Sequence, residues 1–169
     1  MIFKYLNTRC IPSYPIGAEY DDTYYYIREV ADVINNTFKD YNTHLILIVR
    51  GSSGCIIGGG IAYILTRSMR KVSIAISRKL NEVCHGDNLE GLFTLNENKK
   101  IIVVDDFIES GNTMEYIIED LKYNGINRAD MLCVANKLSK TKTKASSRDD
   151  AVDIGYILKY FKYICCNEA

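Results

Sequence analysis

The sequence predicts an α/β fold: a mainly parallel sheet flanked by helices, with a small hood subdomain at one edge. Two observations carry that expectation. Short continuous apolar runs, Leu45-Ile46-Leu47-Ile48-Val49, Ile101-Ile102-Val103-Val104 and Met131-Leu132-Cys133-Val134-Ala135, read as strands covered on both faces. Between them lie segments whose apolar residues recur at three- and four-residue spacings, as on one face of a helix. Alternation of the two is the pattern of parallel strands joined by helical crossovers. The 169 residues form a single domain, 1–169, with a core over about 22–137. The hood takes about 138–169 together with the N-terminal segment.

A chain of this length buries about 70% of its unfolded surface on folding. Its 21 basic and 21 acidic residues cancel, so no basic excess points to nucleic acid and no acidic tail to a solvating segment. The start, Met1-Ile2-Phe3-Lys4, lacks a long apolar stretch, and no run approaches the ~18 apolar residues of a membrane span. A cytoplasmic protein without nucleic-acid or membrane partners is expected. The 6 cysteines (Cys10, Cys55, Cys84, Cys133, Cys165, Cys166) show no CxxC spacing and are expected as buried, reduced thiols. Cys84-His85 has no second ligand pair to complete a metal site.

In chain order, residues 1–21 carry Pro12, Pro15 and Gly17 among aromatic and polar residues and read as irregular or short-strand structure. From Asp22 to Tyr41, Ile27, Val30, Ala31, Ile34, Phe38 and Tyr41 form one helical stripe, with Asp21 or Asp22 as N-cap. The strand Leu45–Val49 follows, then a tight loop at Arg50-Gly51-Ser52-Ser53-Gly54 and a helix to about Arg70. Gly58-Gly59-Gly60 is poor helix material and is read as close packing of helix on sheet. Arg50-Gly51 stands at a strand's carboxyl end, with a guanidinium and bare backbone suited to an anion. No Lys-Ser/Thr follows the glycines and there is no GxGxxG, which excludes the usual nucleotide loops.

Val72-Ser73-Ile74-Ala75-Ile76 is a third strand, and the polar, weakly periodic residues 78–99 read as a long functional loop. Next comes Ile101-Ile102-Val103-Val104-Asp105-Asp106-Phe107-Ile108-Glu109-Ser110-Gly111-Asn112-Thr113. It reads as a buried strand ending at two carboxylates, a hydroxyl- and glycine-bearing loop, and a helix start. Asn112 with Glu115 resembles a capping pair; Met114, Ile117, Ile118 and Leu121 face inward, and Gly125 closes the helix. Backbone N–H groups and the positive helix end in such a loop suit a phosphate, and adjacent acids suit sugar hydroxyls or a metal. The strand Met131–Ala135 delivers Asn136 and Lys137 to its carboxyl end; 138–150 reads as an exposed loop and Val152–Cys166 as short aromatic strands.

The stretch 101–113 resembles the phosphoribosyl-pyrophosphate (PRPP) signature of type I phosphoribosyltransferases, in which an apolar strand leads into two acids and a hydroxyl–Gly–x–Thr loop. Chain order agrees. The strand before Arg50-Gly51 resembles the one feeding that family's pyrophosphate loop, and 78–99 takes the place of its mobile catalytic loop. An acid at 109 and a lysine at 137 resemble the purine members that use hypoxanthine, guanine or xanthine. Glu109 is one methylene longer than the usual Asp, and Phe107 is bulkier than the usual aliphatic.

The resemblance implies transfer of phosphoribose from PRPP to a 6-oxopurine, and it implies residue roles. Asp105 and Asp106 would hold the ribose hydroxyls; Ser110, Gly111, Asn112 and Thr113 would hold its 5′-phosphate. Arg50, Gly51, Arg78 and Lys79 would take the pyrophosphate. Glu109 would exchange a proton with the base, Lys137 would donate to its exocyclic oxygen, and Tyr156 or Tyr163 would stack on it. Mg²⁺ would be held mainly by substrate and water rather than by protein ligands, and a homodimer or higher homo-oligomer is implied. Three alternatives stand beside this. Paired acids also end a strand in response-regulator receivers, but there it is the first strand. A PRPP-binding regulator would use the same fold without turnover. The third is a phosphoribosyltransferase acting on a pyrimidine or another acceptor.

Overall fold

A computed structural model describes residues 2–5, 20–79, 82, 88–91, 98–108, 112–126, 131–137 and 163–165. Among these residues seven strands form one sheet in the order β4-β3-β2-β5-β6-β1-β7. They are β1 (Ile2–Tyr5), β2 (His44–Arg50), β3 (Lys71–Ser77), β4 (Leu89–Glu90), β5 (Lys99–Ile108), β6 (Met131–Lys137) and β7 (Tyr163–Cys165). Every pairing is parallel except that of the short β4 against β3. The helices among the described residues are α1 (Tyr20–Thr37), α2 (Gly51–Arg67) and α3 (Asn112–Tyr123). Among the described residues no helix is long and apolar enough to cross a membrane.

Alternation along β2 builds the layers. Leu45, Leu47 and Val49 join Ile102 and Val104 of β5 in one cluster with Tyr26, Ile27, Val30, Ala31 and Ile34 of α1 and Ile57, Ile61 and Leu65 of α2. Ile46, Ile48, Ile101 and Val103 therefore take the other face, that of α3, whose Met114, Ile117, Ile118 and Leu121 are all buried. Each such Ile or Leu contributes about 1.5–3 kcal/mol by leaving water. A strand buried on both sides is apolar at every position, which is why β2 and β5 show no polar alternation in sequence.

The glycine run in α2 divides its labour. A Cβ at Gly58 would run into Val49 Cγ1, and one at Gly60 would lie 2.7 Å from Ile27 Cδ1, whereas Gly59 meets nothing. Gly58 brings α2 onto the sheet and Gly60 brings α1 onto α2.

Four local expectations are corrected. The first helix begins at Tyr20 and ends at Thr37, so Asp21 and Asp22 are within its first turn and cannot be its N-cap; Tyr41 lies beyond it, 58% exposed, beneath Arg70 at 4.8 Å. Arg50–Gly54 is no separate loop, because α2 starts directly at Gly51. The segment 78–99 holds β4, whose two residues were too few to show a period. Most consequential, β5 does not end at the acids: it continues to Ile108 through a register shift between Val104 and Phe107. The described parts of the chain ends extend the sheet, since β1 pairs with β6 and β7 with β1; the remainder of the hood, 1, 6–19, 138–162 and 166–169, lies outside the described residues.

Candidate active site

Strands β2 and β5 are neighbours, yet the chain leaves β2 toward β3 on one side and β5 toward β6 on the other. Their carboxyl ends thus flank a topological switch point, the crevice where open α/β sheets receive ligands. At the β2 side, Gly51 has φ +69°, a left-handed conformation that favours glycine. A Cβ there would lie 3.5 Å from Lys79 Cε and 3.8 Å from its Nζ, so bare backbone and an ammonium meet above β2 and β3. The first turn of α2 carries no acidic side chain, and no side chain caps it, so its N–H groups suit an anion.

Arg50 was expected to present its guanidinium to that anion. It stands on the α3 face of the sheet, 9% exposed. Its Nη1 donates to Ser77 Oγ at 2.5 Å and lies 3.3 Å from Asp120 Oδ2, while Ser77 Oγ donates to the same carboxylate oxygen at 2.5 Å. The guanidinium also lies 4.7 Å from the centre of the Tyr116 ring. Its charge is met from within, and the group ties α3 to the ends of β2 and β3. Arg78 is likewise engaged, bonded to Glu90 of β4 at 2.8 Å with Glu82 at 3.8 Å. Of the three basic residues expected around pyrophosphate, Lys79 is the one brought to Gly51.

On the β5 side, Val104 pairs with Val134 and Phe107 with Asn136, so β5 uses one more residue than β6 over this interval. That is a β-bulge, and Asp105 and Asp106 are its two residues. Asp105 is 6% exposed, and its carbonyl accepts a hydrogen bond from Tyr26 Oη at 2.7 Å. Beyond the strand, Asn112 and Thr113 are half-buried in the first turn of α3. Asn112 opens that helix rather than preceding it, so the expected capping pair with Glu115 is displaced into the first turn. Glu109, Ser110, Gly111 and Tyr156 lie outside the described residues.

Register places the remaining two candidates. Ile108 pairs with Lys137, which sets Lys137 beside the residue that precedes Glu109. Tyr163 pairs with Phe3 and Phe3 with Cys133, so Tyr163 is level with Cys133, well below the end of β6. Sequence reading missed Tyr26, Ser77, Tyr116 and Asp120. For Tyr116 and Asp120 there was a weak signal, since the two are four residues apart and share a helix stripe.

Among the described residues no group of three or more His, Cys, Asp or Glu could hold a metal ion. Asp105 supplies a carboxylate at the bulge, a hard oxygen donor of the kind Mg²⁺ takes when it shares a site with substrate phosphates. The thiol of Cys55, in the second turn of α2, is unbridged and is pushed up by burial against the opposing pull of Arg78.

Known structures share this fold. An orotate phosphoribosyltransferase of Francisella tularensis superimposes with a TM-score of 0.56 at 18% identity, over 86% of this chain and 65% of that one. Hypoxanthine phosphoribosyltransferase of Trypanosoma cruzi with bound IMP gives 0.53 at 17% identity, over 74% and 66%. The chain spans 61% of the length of an HGPRT-ase from Leishmania tarentolae, at 16% identity and a TM-score of 0.42. No curated protein matches in sequence. The family model for the phosphoribosyl transferase domain matches residues 18–155, from the first helix through both sides of the switch point, and the chain belongs to that family.

Proposed function

We propose that this protein transfers phosphoribose from PRPP to a nucleobase, preferentially a 6-oxopurine, releasing pyrophosphate. One observation carries the proposal: the switch point sets the bulged acid pair of β5 beside the strand that opens α2, whose first turn has no acidic side chain and no side-chain cap, and α3 opens at Asn112 just beyond β5. PRPP has that layout, a diol-bearing ring between a pyrophosphate and a 5′-phosphate.

In this reading Asp105 and Asp106 hold the ribose hydroxyls, and their charge favours the positive ring as the bond from the anomeric carbon to pyrophosphate breaks. Ser110, Gly111, Asn112 and Thr113 hold the 5′-phosphate through N–H and hydroxyl groups. The Gly51 backbone and Lys79 receive pyrophosphate, with Arg50 held behind them by Asp120 and Arg78, next to Lys79 in sequence, adding positive charge. A base nitrogen forms the new bond to the anomeric carbon while Glu109 takes its proton. Lys137, next to Ile108 in register, donates to the exocyclic oxygen, which is what favours a 6-oxopurine. Stacking on the base falls to Tyr156 rather than Tyr163, given the low register of β7. Mg²⁺ bound with PRPP, held mainly by substrate and water, would neutralise phosphate charge. Assembly as a homodimer or higher homo-oligomer in the cytoplasm belongs to the same reading.

Pyrophosphate release is the test, measured with PRPP, Mg²⁺ and separately hypoxanthine, guanine, xanthine, orotate and uracil. Turnover with a 6-oxopurine is expected, and Glu109→Gln should lower kcat about 10²–10⁴-fold while PRPP still binds. Turnover only with orotate or uracil would move the assignment to a pyrimidine acceptor. PRPP binding without turnover on any base would make the protein a PRPP-responsive regulator.

A further inference from the structure

The bulge in β5 is tied to a side chain from the first helix. An extra residue of this kind bends its strand, removes backbone groups from the ladder and re-aims the side chains around it. Tyr26 reaches this point from α1, its hydroxyl donating to the Asp105 carbonyl at 2.7 Å across 79 positions of sequence. Tyr26 is fully buried and Asp105 is 6% exposed, so water does not compete for the bond. The Tyr26 ring belongs to the apolar cluster that includes Ile102 and Val104, the residues leading into the bulge. A phenylalanine would fill that space as well. The oxygen is what a tyrosine adds, and it is spent on the backbone of the acid pair.

We propose that Tyr26 is a positioning residue of the PRPP site: its hydroxyl fixes the backbone of the bulge that carries Asp105 and Asp106. The inference rests on the reading of that pair as the ribose-binding group. Tyr26 touches no substrate; it acts through its bond to the Asp105 carbonyl. Its influence is therefore selective, strong for the part of the ligand that the acids hold and absent for the part held by Gly51 and Lys79.

The experiment is Tyr26→Phe in the full chain, with PRPP, ribose 5-phosphate and pyrophosphate each titrated calorimetrically in Mg²⁺. Ile34→Val serves as a core change remote from the bulge, and thermal melts confirm that both variants are folded. Tyr26→Phe keeps the ring and removes one oxygen, so the core is retained. About tenfold weaker binding of PRPP and ribose 5-phosphate is expected, with the pyrophosphate Kd unchanged. Ile34→Val should bind all three as the unsubstituted protein does, whatever its Tm. A Tyr26→Phe protein that melts lower yet binds ribose 5-phosphate normally overturns the inference, since the hydroxyl would then serve stability alone. Equal weakening toward pyrophosphate overturns it as well, because the whole site would have loosened. Failure of the unsubstituted protein to bind PRPP is a separate result: it overturns the functional reading and this inference with it.

Discussion

Arg50 illustrates how burial changes what a charged residue can do. At the end of β2 a guanidinium beside a glycine looks like an anion ligand, but strand alternation turns Arg50 onto the α3 face, where Ser77, Asp120 and Tyr116 surround it. The side chains of Arg50 and Asp120 are only 7% and 13% exposed, so the pair is shielded from salt and from water. Removing one partner strands the other. Asp120→Asn is expected to destabilise the fold by about 3 kcal/mol, read as a lower urea midpoint with an unchanged m-value. Replacing both residues, as in Arg50→Met with Asp120→Leu, should recover most of that loss, because two desolvation penalties vanish together. If Asp120→Asn alone is neutral, the network is incidental to stability.

Among the elements, α2 has the tightest fit. Gly58 allows the helix to lie on Val49, one residue before Arg50, so any side chain there displaces the helix that opens the pyrophosphate side of the site. Gly58→Ala should cost about 1–3 kcal/mol by overpacking, despite the better helix propensity of alanine, and should weaken pyrophosphate binding. Gly59→Ala, which meets nothing, should be neutral or slightly stabilising; the contrast in Tm between the two checks the packing account. The glycine run was legible in sequence as a close approach, though not which glycine faced which neighbour. The apolar runs of β2 and β5 were legible because strands buried on both faces exclude polar residues over several positions. The start of α1 and the two-residue β4 were not, since a helix entry among Tyr and Asp residues and so short a strand carry no period. The bulge was also hidden. Nothing local distinguishes acids that end a strand from acids that interrupt one; the distinction lies in pairing with β6, which is remote in sequence.

For the molecule as a whole, what matters is the order of strands. Placing β2 beside β5 brings together two segments more than fifty positions apart, Arg50-Gly51 and Asp105-Asp106, and opens the crevice between them. The motif at 101–113 could be read from sequence because its chemistry is contiguous. The supports around it could not, since Tyr26 lies 79 positions from Asp105 and Asp120 lies 70 from Arg50. A tyrosine in an amphipathic helix and an acid on another look the same whether they are buried partners or solvated. Family membership supplies the fold, and the bulged acids at the switch point beside the start of α2 supply the reading of the site. That reading makes one demand above all others. Binding of PRPP in Mg²⁺, measured by calorimetry, should be present in the unsubstituted protein. It should be weakened at least about a hundredfold in Asp105→Asn/Asp106→Asn, through the loss of charge-assisted bonds to the ribose. Wild-type affinity in the double variant, provided it melts as a folded protein, would contradict the account by showing that PRPP does not rest on the acid pair.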